Sequence, residues 1–215
     1  METLLAGIIS LTILVFSAIF HEVAHGFVAE RFGDPTARLM GRLTLNPRKH
    51  IDPFMSILLP LLLIVSGSPI IFGAAKPVPV DQFNLREGRR DMSLVALAGP
   101  LTNALIAILA ALLIKLLFFL PVNFYPQISI IYPLLSIVVR INLLLAIFNL
   151  LPIPPLDGSK VFALLLPEKE ANSYLALGSI GMFIIFFLLL FPIGGFSLGN
   201  ILFSLLSLSQ RLLGI

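Results

Sequence analysis

Apolar residues along this chain occur in long runs that are separated by short polar stretches. The runs at residues 4–30, 92–120 and 129–150 each reach the ~20 residues that a helix needs to cross the hydrocarbon core of a bilayer. Two shorter apolar runs, at residues 174–191 and 197–213, follow. The pattern therefore predicts an all-α polytopic membrane protein with about five to six transmembrane helices.

The segment between the first two main spans has a different pattern. Residues 38–46 alternate between apolar and polar positions, and a period of two predicts a short strand. Residues 51–66 are apolar but short and contain Pro60, which predicts a re-entrant hairpin bent at that proline. Either the strand at 38–46 or the proline-rich stretch Pro77–Val80 is a candidate edge for pairing with another extended chain.

Composition supports a membrane location. The chain is 58% hydrophobic and 12% charged, with a mean hydropathy of +1.05, whereas about a quarter of the residues of a soluble domain are charged. The start of the sequence has no basic stretch and no small-residue cleavage site, so we expect the first apolar run to be kept as a transmembrane helix. We expect one domain over residues 1–215, with a catalytic core at about 4–165 and C-terminal helices at about 174–213. The expected surroundings are lipid, with no nucleic acid as a partner, and the oligomeric state stays open.

Basic residues indicate the orientation of the chain. Nine of them lie between Arg31 and Arg90. A re-entrant hairpin at 51–66 keeps all nine on the same side as the turn at 151–160, and the positive-inside rule makes that side cytosolic. We therefore expect an integral protein of the plasma or inner membrane of a prokaryote, with the polar turns facing the cytosol.

Candidate chemistry begins with His21-Glu22-Val-Ala-His25, an H-E-x-x-H sequence inside the first apolar run. A spacing of four places both imidazoles on one helix face, where they can share a metal ion, and Glu22 can reach a water molecule bound to that ion. The alternative is a chance match, or histidines that fill a polar gap between helices. Three ionisable groups within a membrane span are costly and usually functional, which favours the metal site.

A catalytic zinc site usually has three protein ligands and one open position. The chain has no cysteine, and its only other histidine, His50, lies in a basic loop where we expect it to be solvated. Asp157 is the better candidate, because it follows a proline-rich turn that ends the 129–150 span. The alternative for Asp157 is a capping role at the start of the next helix.

The H-E-x-x-H sequence, followed by N-x-x-P-x-P-x-x-D-G from Asn149 to Gly158, resembles the site-2 protease family of intramembrane metalloproteases. The resemblance covers roughly residues 10–165 and includes Gly99-Pro-Leu-Thr-Asn103. It implies one Zn²⁺ per chain, with His21, His25 and Asp157 as ligands. It also implies that Glu22 is the catalytic base and that Asn149 binds substrate or stabilises the transition state.

The resemblance further implies that the protein cuts membrane-protein substrates in or near their transmembrane segments, as in regulated intramembrane proteolysis. The sequence contains no soluble PDZ-like or CBS-like module. A metal transporter using the same three ligands, or a catalytically silent relative that binds membrane helices, is the alternative. Glu22 favours hydrolysis, because transport needs no base.

Other polar residues within the apolar runs have several interpretations. We expect Asn103 and Asn142 to form hydrogen bonds between helices, as most intramembrane asparagines do. For Arg140, snorkelling to the interface, an ion pair and a water path are all left open.

Overall fold

The computed structural model describes residues 2–66, 76–121, 124–192, 194 and 197–215, and this part of the chain is helical without any strand. The helices are α1 (Glu2–Arg31), α2 (Thr36–Leu39), α3 (Leu59–Val65), α4 (Arg89–Leu117), α5 (Tyr125–Asn149), α6 (Asp157–Phe162), α7 (Glu168–Ala176), α8 (Gly178–Leu190) and α9 (Leu198–Leu213). Short 3₁₀ turns occur at Pro47–Lys49 and Ala163–Leu165, and a π-helical turn, Pro53–Leu58, precedes α3.

Three of these helices, α1, α4 and α5, are long and apolar enough to cross a membrane. Helices α7 and α8 are bent by 68° relative to each other and would form a fourth span if they are counted together, whereas α9 is only 16 residues long. The predicted all-α integral membrane protein is therefore confirmed. The described residues contain three such helices, or four candidate spans with the bent pair, so the predicted five to six transmembrane helices are not confirmed.

Helix α4 lies between α1 and α5 and packs on both. Its face towards α5 carries small residues, which let the two backbones approach closely where no hydrophobic effect drives association. The buried cluster between α4 and α5 also includes Leu206 of α9, and its other members are Ala107, Ala110, Ala111, Ile114, Val139 and Leu143. Large apolar side chains such as Leu109 and Leu113 are exposed on the outside of the same helix, as expected for a helix that contacts lipid.

The predicted strand at residues 38–46 is wrong. Its first residues belong to the single helical turn α2, and Gly41 has a φ of +63°, which interrupts an extended chain. Leu39 is largely exposed while Leu43 packs against Gly26 of α1, so the alternating residues do not form one buried face. Contacts with α1 override the local pattern.

The predicted hairpin at residues 51–66 is tested only in part. The π-helical turn and α3 are six and seven residues long, so together they extend about 20 Å at 1.5 Å per residue. That is shorter than the ~30 Å hydrocarbon core, and the segment is not among the helices able to span it. Residues 67–75, which would complete a return towards the starting side, lie outside the described residues, so re-entry stays a prediction.

Candidate metal centre

Three side chains predicted as metal ligands lie together in the structure. His21 and His25 are one turn apart on α1, and Asp157 is the first residue of α6. The Oδ2 atom of Asp157 is 3.1 Å from Nε2 of His21 and 3.2 Å from Nε2 of His25. All three residues are buried. Residues separated by more than 130 positions in the sequence thus form one compact group of nitrogen and oxygen donors.

The turn between α5 and α6 places Asp157 beside the two histidines. A Cβ atom on Gly158 would lie 2.2 Å from the carbonyl oxygen of Leu150, so the turn can close tightly only around glycine. The carbonyl group of Pro152 accepts a hydrogen bond from the Tyr174 hydroxyl at 2.7 Å, which holds the turn against α7. The proline-rich sequence therefore forms a fixed loop that directs Asp157 towards α1.

The other carboxylate oxygen of Asp157 has its own partner. Lys160, one turn further along α6, places its Nζ atom 3.2 Å from Oδ1. The ion pair engages Oδ1 and leaves Oδ2 facing the two imidazoles.

Both imidazoles are oriented by an acceptor at Nδ1. His25 Nδ1 lies 2.7 Å from the carbonyl oxygen of Val95, and His21 Nδ1 lies 2.6 Å from Oδ1 of Asn103. A carbonyl oxygen only accepts hydrogen bonds, so Nδ1 of His25 carries the hydrogen and donates it. In the neutral ring Nε2 then carries no hydrogen, faces Asp157 and can bind a metal ion.

The spacing of the donor atoms fits a small tetrahedral cation. Two ligands about 2.05 Å from zinc at the tetrahedral angle are about 3.3 Å apart, close to the distances from Asp157 to the histidines. One donor atom from each of the three residues lies within 4.8 Å of the others. A Cβ atom on Gly99 of α4 would be 2.5 Å from Nε2 of both histidines, so only glycine leaves room beside them. The residues present therefore fit a zinc ion.

Glu22 lies beside the centre and is already hydrogen-bonded. Its Oε2 atom accepts the backbone N–H of Val78 at 2.7 Å. The segment Lys76–Val80 has no regular secondary structure. The carbonyl oxygen of His50 accepts the N–H of Lys76 at 2.8 Å, and Arg42 donates to the Lys76 and Pro77 carbonyl groups at 2.8 and 3.2 Å. These bonds hold the segment next to the Glu22 carboxylate.

Comparison with known proteins identifies the family. The family model described as peptidase family M50 matches residues 7–130 and 123–192. The chain belongs to peptidase family M50. The resemblance to site-2 proteases is thereby confirmed, and the protein is a peptidase by family.

Three relatives illustrate the similarity of this M50 peptidase to curated proteins. It is 37% identical to "Putative zinc metalloprotease YwhC" of Bacillus subtilis over 86% of this chain and 81% of the relative. It is 35% identical to "Putative zinc metalloprotease Rip2" of Mycobacterium tuberculosis over 91% and 73% of the two chains. It is 33% identical to "Putative zinc metalloprotease MJ0611" of Methanocaldococcus jannaschii over 74% and 71%. No solved structure matches the chain significantly.

Asn149, the remaining site residue predicted from the sequence, lies at the end of α5 in this M50 peptidase. Its side-chain nitrogen donates to the carbonyl group of Leu145 on its own helix at 3.0 Å. The side chain is half-buried. Its role towards substrate stays a proposal.

The expectation that His50 is solvated is wrong. His50 is 1% exposed and donates from Nε2 to the carbonyl oxygen of Thr44 at 2.7 Å. Burial lowers the pKa of His50 from its ordinary value, which keeps the ring neutral. The residue therefore supports the loop that carries Lys76, and the basic sequence around it gave no sign of this.

Sequence reasoning also missed neighbours of the metal ligands. Lys160 could have been found, because a basic residue three positions after Asp157 lies on the same helix face. Gly99 leaves space beside the histidines only because α4 packs closely on α1, which the sequence does not show. Val95 contacts His25 through its backbone carbonyl oxygen, so its side chain carries no signal of this role. Arg140 is exposed on α5 and takes part in none of the ion pairs of the described residues.

Proposed function

We propose that this protein is a zinc-dependent intramembrane endopeptidase that hydrolyses peptide bonds in or near the transmembrane segments of membrane-protein substrates. The observation that carries the proposal is the approach of Asp157 Oδ2 to within 3.1 and 3.2 Å of the two histidine Nε2 atoms. Membership of peptidase family M50 supports the reaction, and the names of the relatives support zinc as the metal.

In this proposal His21, His25 and Asp157 would hold one Zn²⁺ per chain. A bound zinc ion would supply Lewis acidity, which would lower the pKa of water so that it can lose a proton near neutral pH and become a nucleophile. Glu22 accepts the proton of that water at its carboxylate and passes it to the leaving nitrogen. The amide of Asn149 donates a hydrogen bond to the substrate carbonyl oxygen as negative charge develops there.

The proposed substrate class rests on where the ligands lie in α1. His21 is ten residues before Arg31, so it lies about 15 Å along the helix from that basic end. Phe20 and Phe27, which flank the ligand-bearing turns, are exposed on the outside of α1. A substrate helix would therefore approach through lipid and must unwind locally to present its carbonyl groups.

The same depth supports the proposed location. Arg31 at the end of α1 and Arg89 and Arg90 at the start of α4 lie at the helix ends nearest to the metal centre. By the positive-inside rule we place this end at the cytosolic face of the plasma or inner membrane of a prokaryote.

The test is cleavage of a single-span model substrate by the purified full chain in lipid vesicles. We expect the wild-type protein to cut it and a chelator to stop the reaction. Glu22→Gln should lower kcat/KM by at least about 10²-fold, because it removes the base, and should keep its zinc. Retention of zinc by an inactive variant separates a hydrolase from a metal transporter. Cleavage by Glu22→Gln at the wild-type rate would contradict the proposal.

A matched soluble peptide with the same cleavage sequence tests the intramembrane part of the proposal. We expect the membrane-embedded substrate to be cut faster than the peptide under the same conditions. Equal or faster cleavage of the soluble peptide would leave a metallopeptidase that is not selective for membrane substrates.

A further inference from the structure

Two buried asparagines connect three helices behind the metal centre. Asn103 of α4 and Asn142 of α5 are both fully buried, and Asn103 Nδ2 donates to Asn142 Oδ1 at 2.8 Å. Both side chains also reach Ser17 of α1: Asn103 Nδ2 is 3.3 Å from its carbonyl oxygen, and Asn142 Nδ2 is 2.9 Å from its hydroxyl oxygen. The network ends at His21, whose Nδ1 atom is 2.6 Å from Asn103 Oδ1.

The direction of every hydrogen bond in this network is fixed by two backbone carbonyl groups. Asn142 lies 2.9 Å from the carbonyl oxygen of Val138, which only accepts, so the amide nitrogen of Asn142 must face it. Its oxygen then faces Asn103 and requires a donor there. The carbonyl oxygen of Ser17 independently requires the nitrogen of Asn103 on the same side. Asn103 is therefore left with its oxygen towards His21.

We propose that Asn142 and Asn103 form a polarised amide relay that holds a hydrogen on Nδ1 of His21 and thereby keeps Nε2 free for the metal ion. Asn103 is in this view a positioning residue for a metal ligand. The inference rests on the zinc site of the proposed function, and it adds residues from α4 and α5 to a site whose ligands lie on α1 and α6.

The two histidines differ in the acceptor that faces Nδ1, which is a backbone oxygen for His25 and a side-chain oxygen for His21. His25 donates to the backbone carbonyl group of Val95, an acceptor that helix α4 supplies without any particular side chain. His21 meets a side chain at the corresponding atom. An amide is suited to this place, because it accepts a hydrogen bond without adding a charge that would be costly inside a membrane.

Loss of the acceptor has a defined consequence for the metal site. Without Asn103 Oδ1, the hydrogen of a neutral His21 ring is better placed on Nε2, where Asp157 Oδ2 accepts it at 3.1 Å. Zinc must then displace that hydrogen to bind. Removal of such a hydrogen-bond partner of a metal-bound histidine typically weakens metal binding by 10- to 100-fold.

The first measurement is zinc affinity, by competition with a chelator, for the full-length protein in detergent. We expect Asn103→Leu, which is similar in size but cannot accept, to bind zinc at least about tenfold more weakly than wild type. Asn142→Leu, one step further from His21, should show a smaller loss of several-fold. Asn172→Leu, a matched change of an exposed asparagine on α7, should leave the affinity unchanged.

The second measurement locates the ring hydrogens directly by nitrogen-15 NMR of the zinc-free protein labelled at histidine. The chain has three histidines, so His25 and His50 serve as internal references with hydrogens on Nδ1 and Nε2 respectively. We expect a hydrogen on Nδ1 of His21 in wild type and in Asn103→Asp, which keeps an acceptor oxygen. In Asn103→Leu we expect Nδ1 to be bare.

The outcomes separate the relay from the proposed function. Wild-type zinc affinity in Asn103→Leu, or the same His21 ring state in Asn103→Leu and Asn103→Asp, would overturn the relay. If Asn103→Leu does not fold, wild-type zinc affinity in Asn142→Leu overturns it. A wild-type protein that binds no zinc but carries the hydrogen on Nδ1 of His21 would overturn the proposed function and leave only the orientation of the His21 ring by Asn103.

Discussion

At the scale of single residues, Gly99 leaves open space beside the Nε2 atoms of His21 and His25. A side chain at this position would start 2.5 Å from Nε2 of both His21 and His25, the atoms that would bind zinc. We expect Gly99→Ala to lower zinc affinity by at least about tenfold and to lower peptidase activity with it. Zinc titration of the purified variant measures the effect.

Gly7→Ala is the matched control for Gly99→Ala. Both changes add one methyl group to a membrane-spanning helix and raise its helix propensity by roughly 1 kcal/mol. A Cβ atom on Gly7 would meet nothing within 4 Å. Zinc affinity should therefore be unchanged in Gly7→Ala, and normal zinc binding by Gly99→Ala would show that the space beside the histidines is not needed.

Asp34 provides a prediction for pH dependence. It is fully buried in the loop after α1 and accepts hydrogen bonds from the backbone N–H groups of Thr36 and Asp81 and from the Asn84 amide, at 3.0, 2.7 and 3.1 Å. Burial acts to raise the pKa of Asp34, but a hydrogen bond from the Thr36 hydroxyl, together with the three others, outweighs it and holds the pKa below the ordinary value.

The sign of the stability effect follows from that direction. A carboxylate whose folded pKa is depressed stabilises the fold above its unfolded pKa of about 3.9, and the contribution is lost as the pH falls through the folded value. We expect Asp34→Asn to lose about 1–3 kcal/mol at pH 7, since an amide nitrogen would face donors. Melting in detergent should show this difference shrinking below about pH 4. A pH-independent difference would contradict the role of the charge.

At the scale of elements, the segment Lys76–Val80 lies against Glu22 because Arg42 and His50 hold it there. Arg42→Ala removes two hydrogen bonds to the Lys76 and Pro77 carbonyl groups. We expect faster hydrogen exchange at the amides of Lys76 and Val78, by roughly tenfold for each 1.4 kcal/mol of lost local stability, with zinc content unchanged.

Arg38→Ala is the control for Arg42→Ala. Arg38 is exposed and pairs with Glu30, and an exposed ion pair contributes about 0–1 kcal/mol. Exchange in the segment should stay as in wild type. If Arg42→Ala also leaves the exchange of Lys76 and Val78 unchanged, Arg42 does not hold the segment in place.

The elements also show what could be predicted from the sequence. The long spans were found, because a membrane helix needs a continuous apolar run that local sequence records directly. The prediction of a strand at 38–46 was wrong, because Gly41 turns the chain and Gly26 lets Leu43 pack onto α1. Such contacts depend on tertiary register, which a period of two does not encode.

The candidate site divides in the same way. Spacing and membrane location predicted His21, Glu22, His25 and Asp157 as site residues, and the structure brings the two histidines and Asp157 together. The partners of His21 were not assigned. The hydrogen bond between Asn103 and Asn142 depends on the relative register of α4 and α5, which the sequence does not show. A sequence gives the polar residues of a helix, whereas their pairing requires the packed structure.

At the scale of the whole molecule, the metal centre joins separate parts of the chain. Its proposed ligands lie on α1 and α6, and α4 packs against both helices. A ligand that binds only the folded state stabilises it by about 4 kcal/mol at a thousandfold excess over its Kd. We therefore expect zinc to raise the melting temperature of the wild-type protein in detergent by several degrees and to have no such effect on Asp157→Ala. An equal zinc effect on both proteins would contradict this link.

The most direct test of the centre is X-ray absorption spectroscopy at the zinc edge, combined with zinc content, for the full chain in lipid. We predict about one zinc per chain with two imidazole nitrogens and carboxylate or water oxygens at about 2.0–2.2 Å, and loss of the metal in Asp157→Ala. A zinc without two imidazole ligands, or wild-type zinc content in Asp157→Ala, would contradict the assignment of His21, His25 and Asp157 as the ligands.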